Sequence, residues 1–273
     1  NYSTAMGQGT SAIGINSTAM GRITKASGTS STAMGNSTTA IGENSTAMGQ
    51  DTTASGVNST AMGQNTTASG LDSTAMGVFT KASGYASTTM GRSTKATGNY
   101  STAMGNLTTA TGIYSTAMGN STTASGYAST TMGEGTEASG DFSTAMSVFT
   151  TASGYASTTM GFGTTASGQN STAMGTQTTA SDYGSLVIGQ YNSSGSTVTT
   201  NGSATVFDPD NTAFVIGNGT ENNANDAFKV DFSGKVTATS FVGDGSQLTG
   251  ISSGAGYLGN VTENSKNGYR LSG

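Results

Sequence analysis

Small polar and apolar residues alternate along most of the chain, in short runs that each end at a glycine. Glycine occupies 25 of the 27 multiples of seven from Gly7 to Gly189, and Ser147 and Asp182 are the exceptions. The preceding residue alternates between Met and a residue that is usually Ser, so the true repeat is fourteen residues with unequal halves, such as 58–63 (NSTAMG) and 65–70 (NTTASG). Alternation with a period of two predicts short strands, and the regular glycines predict turns. The pattern therefore predicts a parallel β-solenoid whose coils each contain two strands and two turns.

The two faces of each predicted strand carry different side chains. Residues two and four positions before each glycine share one face, because side chains alternate across a strand. These positions hold Ala, or Thr at Thr89, Thr131 and Thr159, together with Ser in the Met half of the repeat and Thr in the other half. Residues this small predict a very thin interior in which the two strands of a coil nearly touch.

The opposite face of the Met half is uncharged. It carries Thr and Met in all 13 repeats, whereas the same positions of the other half include Lys25, Lys81, Lys95 and Glu137. We expect the polar half to face water and the Met half to be buried by partner chains, since so long a Met stripe is too large to leave exposed. Cyclic closure predicts a homotrimer, in which about 13 coils at about 4.8 Å each stack to roughly 65 Å. The predicted trimer core consists of Met6, Met20, Met34, Met48, Met62, Met76, Met90, Met104, Met118, Met132, Met146, Met160, Met174 and Ile188.

Hexapeptides of the Met half resemble a known motif. Segments 16–21, 44–49, 58–63 and 170–175, each NSTAMG, are similar to the Asn-Ser-Val-Ala-Ile-Gly motif of YadA-like head domains in trimeric autotransporter adhesins. The resemblance implies an all-β fold over residues 1–189, a left-handed parallel β-roll with fourteen residues per coil, assembled as a trimer. Some members of that family bind collagen or other matrix proteins through head surfaces. Thr and Met replace the Val and Ile of the motif in this chain.

Residues 190–273 leave the fourteen-residue spacing and predict a small β-rich connector. Segments 214–217 (FVIG) and 227–239 alternate like strands, and the second has a hinge at Ser233 and Gly234. Segments 238–250 and 267–273 are similar to stretches of phage tail fibres and related surface fibres that lie upstream of a C-terminal intramolecular chaperone. This second resemblance implies a phage or phage-like tail-fibre segment as an alternative to a cell-surface adhesin.

Composition narrows the chemistry. The chain has no His, Cys or Trp, which removes the imidazole base, the thiolate nucleophile and the ordinary zinc ligands. Nine basic and 14 acidic residues give a net charge of −5, so nothing favours binding to nucleic acid or anionic lipid. No apolar run reaches the length of a membrane span. We therefore predict a protein that is not an enzyme and that uses neither a cofactor nor a metal ion.

Aromatic residues recur in the turn that follows the polar half of the repeat. Adjacent coils would place their rings in a ladder along one edge, which is either a stacking platform for a glycan or protein, or a cover for the coil edge or the neighbouring subunit. The other turn carries only Phe79, Phe149 and Phe162. The candidate ligand-binding residues are Tyr85, Tyr100, Tyr114, Tyr127, Phe142, Tyr155 and Tyr183.

Two groups of residues in the sequence are candidate metal ligands. The densest acidic group comprises Asp208, Asp210, Asn211, Glu221 and Asp226, which could hold calcium but lacks the EF-hand spacing. A solvated loop is the favoured interpretation. The Met series could form a ladder for a soft metal, but packing between subunits explains it better, because Met fills irregular apolar space.

These observations together predict a non-enzymatic, extracellular, trimeric fibre or adhesin subunit at a cell surface or virion surface. Its partners are two further copies of itself and a glycan or extracellular protein receptor. Ice binding is a less favoured alternative. The outward strand presents a Thr array that includes Thr39, Thr53, Thr67, Thr109 and Thr123, but charged residues interrupt it.

Overall fold

Every regular element in the described part of the chain is a β-strand. The computed structural model describes residues 2–240 and 242, with 30 strands and no helix among them. Long and short strands alternate from β1 to β27, so each of the thirteen coils pairs one long strand with one short strand. The predicted parallel β-solenoid is confirmed.

The odd-numbered strands of this series are five residues long: Thr4–Gln8, Thr18–Arg22, Thr32–Asn36, Thr46–Gln50, Thr60–Gln64, Thr74–Val78, Thr88–Arg92, Thr102–Asn106, Thr116–Asn120, Thr130–Glu134, Thr144–Val148, Thr158–Phe162, Thr172–Thr176 and Leu186–Gln190. The even-numbered strands are two residues long: Ser11–Ala12, Lys25–Ala26, Thr39–Ala40, Thr53–Ala54, Thr67–Ala68, Lys81–Ala82, Lys95–Ala96, Thr109–Ala110, Thr123–Ala124, Glu137–Ala138, Thr151–Ala152, Thr165–Ala166 and Thr179–Ala180. Long strands pair only with long strands, and short strands pair only with short strands.

Each strand pairs with the equivalent strand of the next coil at a constant offset of fourteen residues. Thr60, Ala61 and Met62 pair in parallel with the residues fourteen positions later, and the same holds along the stack. The turns are hydrogen-bonded between coils as well. The Asn65 amide donates to the Gln50 carbonyl at 2.9 Å, so both strands and both turns of a coil bind the coils on either side.

The interior is as thin as the pattern predicts. Every Ala two positions before glycine from Ala19 to Ala180 is fully buried, as are the Ser and Thr residues four positions before glycine. The strict alternation of Ser and Thr has a physical basis. The Ser59 hydroxyl donates to the Gly56 carbonyl in the adjoining turn at 2.6 Å, whereas Thr66 fills the interior with a methyl group and its hydroxyl has no partner.

Backbone crowding explains the glycine at every seventh residue. A Cβ on Gly63 or Gly70 would collide with the carbonyl oxygen of the glycine fourteen residues later. Gly63 also has φ +122, a conformation that side chains strongly disfavour. At the exceptional position in a long strand, Ser147 adopts φ 91. Glycine is therefore favoured in both halves of the repeat for steric reasons. The strand pattern alone does not show these reasons.

Three further strands follow the solenoid. β28 (Thr212–Asn218) pairs in parallel with β27, so that Gly217 lies opposite Gly189. β29 (Asp226–Asp231) is antiparallel to β28, and β30 (Val236–Ala238) is antiparallel to β29. The strands expected at 214–217 and 227–239 are present, with the turn at Ser233 and Gly234. The spacing did not predict that β28 continues the long-strand sheet. Most of segment 238–250 and all of 267–273 lie outside the described residues.

Side chains complete the hydrogen bonding of the last short strand. The Asn192 amide accepts from the Thr179 N–H at 2.8 Å and donates to the Thr179 carbonyl at 2.9 Å, as a neighbouring strand would. Asp182 replaces the expected glycine and is fully buried. Its carboxylate accepts from the Thr199 amide and hydroxyl and from the Thr212 amide, at 2.6–2.7 Å. The segment after the last coil thus closes this end of the solenoid.

Candidate functional site

The turn that follows each short strand forms the first edge of the solenoid. In residues 98–101 the Ser101 amide and hydroxyl both approach the Gly98 carbonyl, at 3.3 and 2.6 Å. The residue two positions after the glycine has a positive φ, which is 58° at Tyr100. Both middle residues of the turn therefore point away from the thin interior and are free to vary.

A continuous row of aromatic rings occupies this edge in six successive coils. Successive ring centroids are 5.0–5.5 Å apart. One pair, Tyr100 and Tyr114, is stacked with an interplanar angle of 9°, and the other pairs meet edge to face. We call this row the aromatic ladder. Its members are Tyr85, Tyr100, Tyr114, Tyr127, Phe142 and Tyr155.

The ladder draws its rings from two different turn positions. Tyr85, like two other members, comes one residue after the turn glycine and is followed by Ala, whereas Tyr100 comes two residues after it. When the ring takes the second position, the first can hold a polar side chain that ties coils together. The Tyr85 amide donates to Asn99 Oδ1 at 3.0 Å, and the Tyr127 amide donates to Asp141 Oδ1 at 2.8 Å.

Polar side chains form the same edge in the coils before the ladder. Asn44 Nδ2 donates to Asn58 Oδ1 at 3.1 Å, and Asn58 Nδ2 donates to Asp72 Oδ1 at 2.8 Å. This amide row was not predicted from the sequence, although its members are spaced by fourteen residues. The first edge therefore changes along the stack from hydrogen-bonded amides to packed rings.

Asp72 also affects the first ring of the ladder. Repulsion from Tyr100, and after it from the Asp72 carboxylate, raises the pKa of the Tyr85 hydroxyl above its ordinary value. Both groups disfavour the phenolate because they place negative charge next to it. Tyr85 thus stays neutral over a wider pH range than an isolated tyrosine.

Tyr183, the seventh candidate, lies apart from the ladder. The intervening coil carries Gln169 and Asn170 in its turn, and Tyr183 has no ring neighbour among the described residues. Its amide donates to the Ser203 carbonyl at 2.9 Å, in the segment that closes the solenoid. The structure brings six of the seven candidates together and places Tyr183 at the junction with the connector.

The turn that follows each long strand forms the second edge, which has no continuous ladder. Phe149 and Phe162 are in contact with centroids 6.2 Å apart, and Phe79 lies several coils away. Phe149 packs where a Cβ on Gly135 would sit. The apolar residues of this edge are therefore isolated or paired.

The methionine series lies on the outer face of the long strands. Met20 pairs with Met34, and the same register continues along the stack. No Met among the described residues is buried; Met6 is 54% exposed, and Met132 and Met160 are each 36% exposed. The flanking Thr residues of this face are half-buried. A single chain thus leaves this stripe partly open to solvent.

The acidic residues near the end of the described region are dispersed. Asp208 accepts from the Asp210 amide at 2.9 Å, and Asn211 is buried, with its side-chain oxygen bound to the Ser203 amide. Burial would raise the pKa of Asp226, but hydrogen bonds from Ser194 and Ser193 outweigh it and lower the pKa. Within the described residues, no three acidic side chains are grouped so that they could hold a metal ion.

The repeat matches the model of a known protein family. A family model described as the YadA head domain repeat (2 copies) matches segments that together cover more than half of the chain. The matched segments are 1–22, 26–52, 40–66, 54–80, 68–92, 82–108, 110–130, 124–146 and 166–192. A search of curated proteins finds no match.

The described residues include no helix that is both long and apolar enough to cross a membrane.

The matched segments contain nearly all the coils described above, with their turn glycines, buried alanines and outward methionines. Five of the six rings of the aromatic ladder also lie in matched segments, and Tyr155 lies outside them. On this basis, the chain belongs to the family of YadA head domain repeats.

Proposed function

We propose that this chain is the head of a trimeric surface adhesin that is exposed outside the cell, carries out no catalysis, and attaches its bearer to another surface. Family membership supports an adhesin-like role. The main observation that supports a trimer is the Met stripe. Its thirteen side chains lie in register on one face and are all partly exposed in a single chain.

Burial of this stripe favours association. Interior positions of the solenoid are occupied by Ala, Ser and Thr, so a single chain buries little apolar area of its own. Three copies with their long strands facing a common axis would remove the stripe from water and provide the missing core. The Met series and Ile188 are, in this proposal, the core of the trimer. The short-strand face carries Lys25, Lys81, Lys95 and Glu137, all exposed, which suits solvent.

Sedimentation velocity over a range of dilutions tests the assembly. The parent should sediment as a trimer, and the triple variant Met62→Asp, Met76→Asp, Met90→Asp should dissociate or unfold, because it places charges in the proposed core. The matched control puts the same three charges directly after the short strands, at Ser55, Ser69 and Ser83, none of which is buried. It should remain folded and trimeric. A folded monomeric parent, or a trimeric Met variant, would refute the proposal.

Two measurements test the role. Antibodies raised against the solenoid should label intact cells that produce the protein, since the head must be exposed to reach a surface. Beads coated with the purified trimer should adhere to cultured cells or to matrix-coated plates more than beads coated with the dissociated Met variant. Absence of labelling, or equal adhesion by both kinds of bead, contradicts the adhesin function.

A further inference from the structure

The fold does not need the aromatic ladder. The same turn, with the same positive φ of 54–58°, is built from Asn44, Asn58 and Asp72 in the earlier coils. The hydrogen bond that closes the turn is also the same, at 2.6 Å for Ser59 in the amide row and 2.6 Å for Ser101 in the ladder. The turn therefore does not need an aromatic residue in order to form.

Backbone conformation makes the rings locally unfavourable. Three ladder members, Tyr100, Tyr114 and Phe142, have φ of 58–60°. Asn and Asp tolerate this left-handed region, whereas bulky side chains are rarely found there. Aromatic residues nevertheless occupy this position in three of the six ladder coils. A role in recognition explains why rings stand where amides would suit the backbone better.

The rings are partly covered by each other and partly accessible. In a single chain, each of the six retains 39–51% of its surface, even though each contacts its neighbours in the ladder. The result is a strip one ring wide and six rings long, parallel to the direction in which the coils stack. A ligand that repeats along one dimension matches such a strip, and a compact ligand would use only part of it.

Charge at the ladder restricts the ligand further. The turns that carry the rings have no Lys or Arg; their only charged residue is Asp141, and Asp72 lies in the turn just before them. The short strands that lead into these turns carry the exposed residues Lys81, Lys95 and Glu137, so charges of both signs lie near the ladder. A phosphorylated or sulfated polymer would therefore find no continuous row of cations along the rings and would meet carboxylates as well. Tyrosine offers an apolar ring with a polar tip, which suits a ligand that has both C–H faces and hydroxyl groups.

We propose that the aromatic ladder binds a neutral, unbranched glycan chain laid along the stacking direction of the coils. The apolar faces of successive sugar units contact the accessible ring surfaces, and sugar hydroxyls bind the phenol groups of the tyrosines. This inference rests on the proposed adhesin function, because it assigns the class of surface molecule that the head recognises.

Affinity electrophoresis in native gels tests the site directly. The gels contain hydroxyethyl cellulose, mixed-linkage β-glucan or pullulan as neutral polymers with unbranched backbones, and polygalacturonate as an anionic one. The parent should be retarded by at least one neutral polymer and not by polygalacturonate. The variant Tyr85→Ser, Tyr100→Ser, Tyr114→Ser, Tyr127→Ser should bind that polymer at least about tenfold more weakly, since aromatic anchors dominate such interfaces.

A matched control removes aromatic residues from the other edge. The variant Phe79→Ser, Phe149→Ser, Phe162→Ser should bind like the parent. Circular dichroism of both variants establishes that the coils remain folded. The inference is overturned if no neutral polymer retards the parent, if the tyrosine variant binds as tightly as the parent, or if retardation occurs only with polygalacturonate.

A gain of binding tests the geometry of the ladder. Asn58→Tyr with Asp72→Tyr adds two rings next to Tyr85, at positions whose φ values of 55° and 58° match that of Tyr100. The longer ladder should bind the retarding polymer severalfold more tightly. Asn58→Ser with Asp72→Ser, which removes the same amide and carboxylate without adding rings, is the control. Equal binding by the extended ladder and this control would overturn the linear arrangement.

The bead assay separates this inference from the adhesin function. If beads coated with the tyrosine variant adhere to cells as well as the parent does, the glycan site is wrong and the adhesin function stands. If beads coated with the parent adhere to nothing while gel retardation persists, the adhesin function is wrong and the glycan site stands.

Discussion

The buried hydroxyls of the solenoid predict opposite effects for two matched pairs of substitutions. Ser59 and Ser73 each donate to a turn carbonyl at 2.6 Å, and both residues are fully buried. Thr66 and Thr80 occupy the equivalent buried positions of the other half, and their hydroxyls have no hydrogen-bond partner. We expect Ser59→Ala with Ser73→Ala to destabilise the protein, and Thr66→Val with Thr80→Val to leave stability unchanged or to increase it.

The magnitudes follow from hydrogen bonding. A buried hydrogen bond between neutral groups contributes about 1 kcal/mol net, so the Ser pair should lose about 2 kcal/mol of unfolding free energy. An unpartnered buried hydroxyl carries a desolvation penalty of about 1–3 kcal/mol. Valine has nearly the shape of threonine, so the Thr pair removes this penalty without opening a cavity. The two double variants should therefore differ by at least about 2 kcal/mol.

Guanidinium chloride unfolding followed by far-UV circular dichroism measures this difference. All proteins are compared at one concentration, because the stability of an oligomer depends on protein concentration. The control is Ser69→Ala. Ser69 is exposed and directly follows a short strand, so this change should shift stability by less than about 0.5 kcal/mol. If the Thr→Val pair lowers the midpoint as much as the Ser→Ala pair, the assigned roles of the two hydroxyls are wrong.

Three further predictions concern single residues. Gly63→Ala should disrupt its coil, because a Cβ there collides with the Gly77 carbonyl. A Cβ on Gly234 meets no other atom, so Gly234→Ala should lower stability only by the roughly 1–3 kcal/mol of backbone strain. Equal midpoints of the two variants in thermal unfolding would refute this prediction. Asp182→Ala should lose about 3 kcal/mol or more locally, because three hydrogen bonds to a buried carboxylate disappear. Hydrogen exchange should then accelerate in residues 191–212 and not in the central coils; unchanged exchange in that segment would contradict the assignment. The pKa of Asp226 is lowered, so its contribution to stability is present above the ordinary carboxyl pKa and is lost as pH falls through the lower folded value; Asp226→Asn should flatten this acid dependence, and an unchanged acid limb would contradict it.

The candidate site could be predicted only in outline. Spacings of 13–15 residues place Tyr85 to Tyr155 on one edge, because each coil contributes fourteen residues. Whether the rings touch depends on the direction of each side chain, which differs between the first and second turn positions. Tyr183 has a suitable spacing too, but Gln169 interrupts the row and the connector binds its backbone. The amide row at Asn58 was not predicted, because Asn and Asp are ordinary turn residues and their presence does not by itself indicate hydrogen bonds between coils.

The connector shows where periodicity alone is insufficient. Residues 191–211 lack the repeat, yet β28 returns to the long-strand sheet with Gly217 opposite Gly189. Two polar side chains make this possible. Asn192 replaces a strand neighbour for Thr179, and the buried Asp182 accepts the amides of Thr199 and Thr212. Hydrogen bonds between residues so distant in the chain have no periodic signature in the sequence.

Periodicity determines most of this protein. A strict repeat of fourteen residues sets the coil length, the parity of the buried face and the position of each Met, because each coil repeats the same side-chain alternation and the same crowded glycines. Tertiary structure alone decides what lies between coils. Packing of ring on ring and the amide row depend on distances across the stack, and these are set by backbone conformation in the turns. The partner of each Ser hydroxyl lies three residues earlier in the same coil and depends on the conformation of that turn. The sequence thus specifies the coil, and the stacking of coils creates the surface on which recognition is proposed.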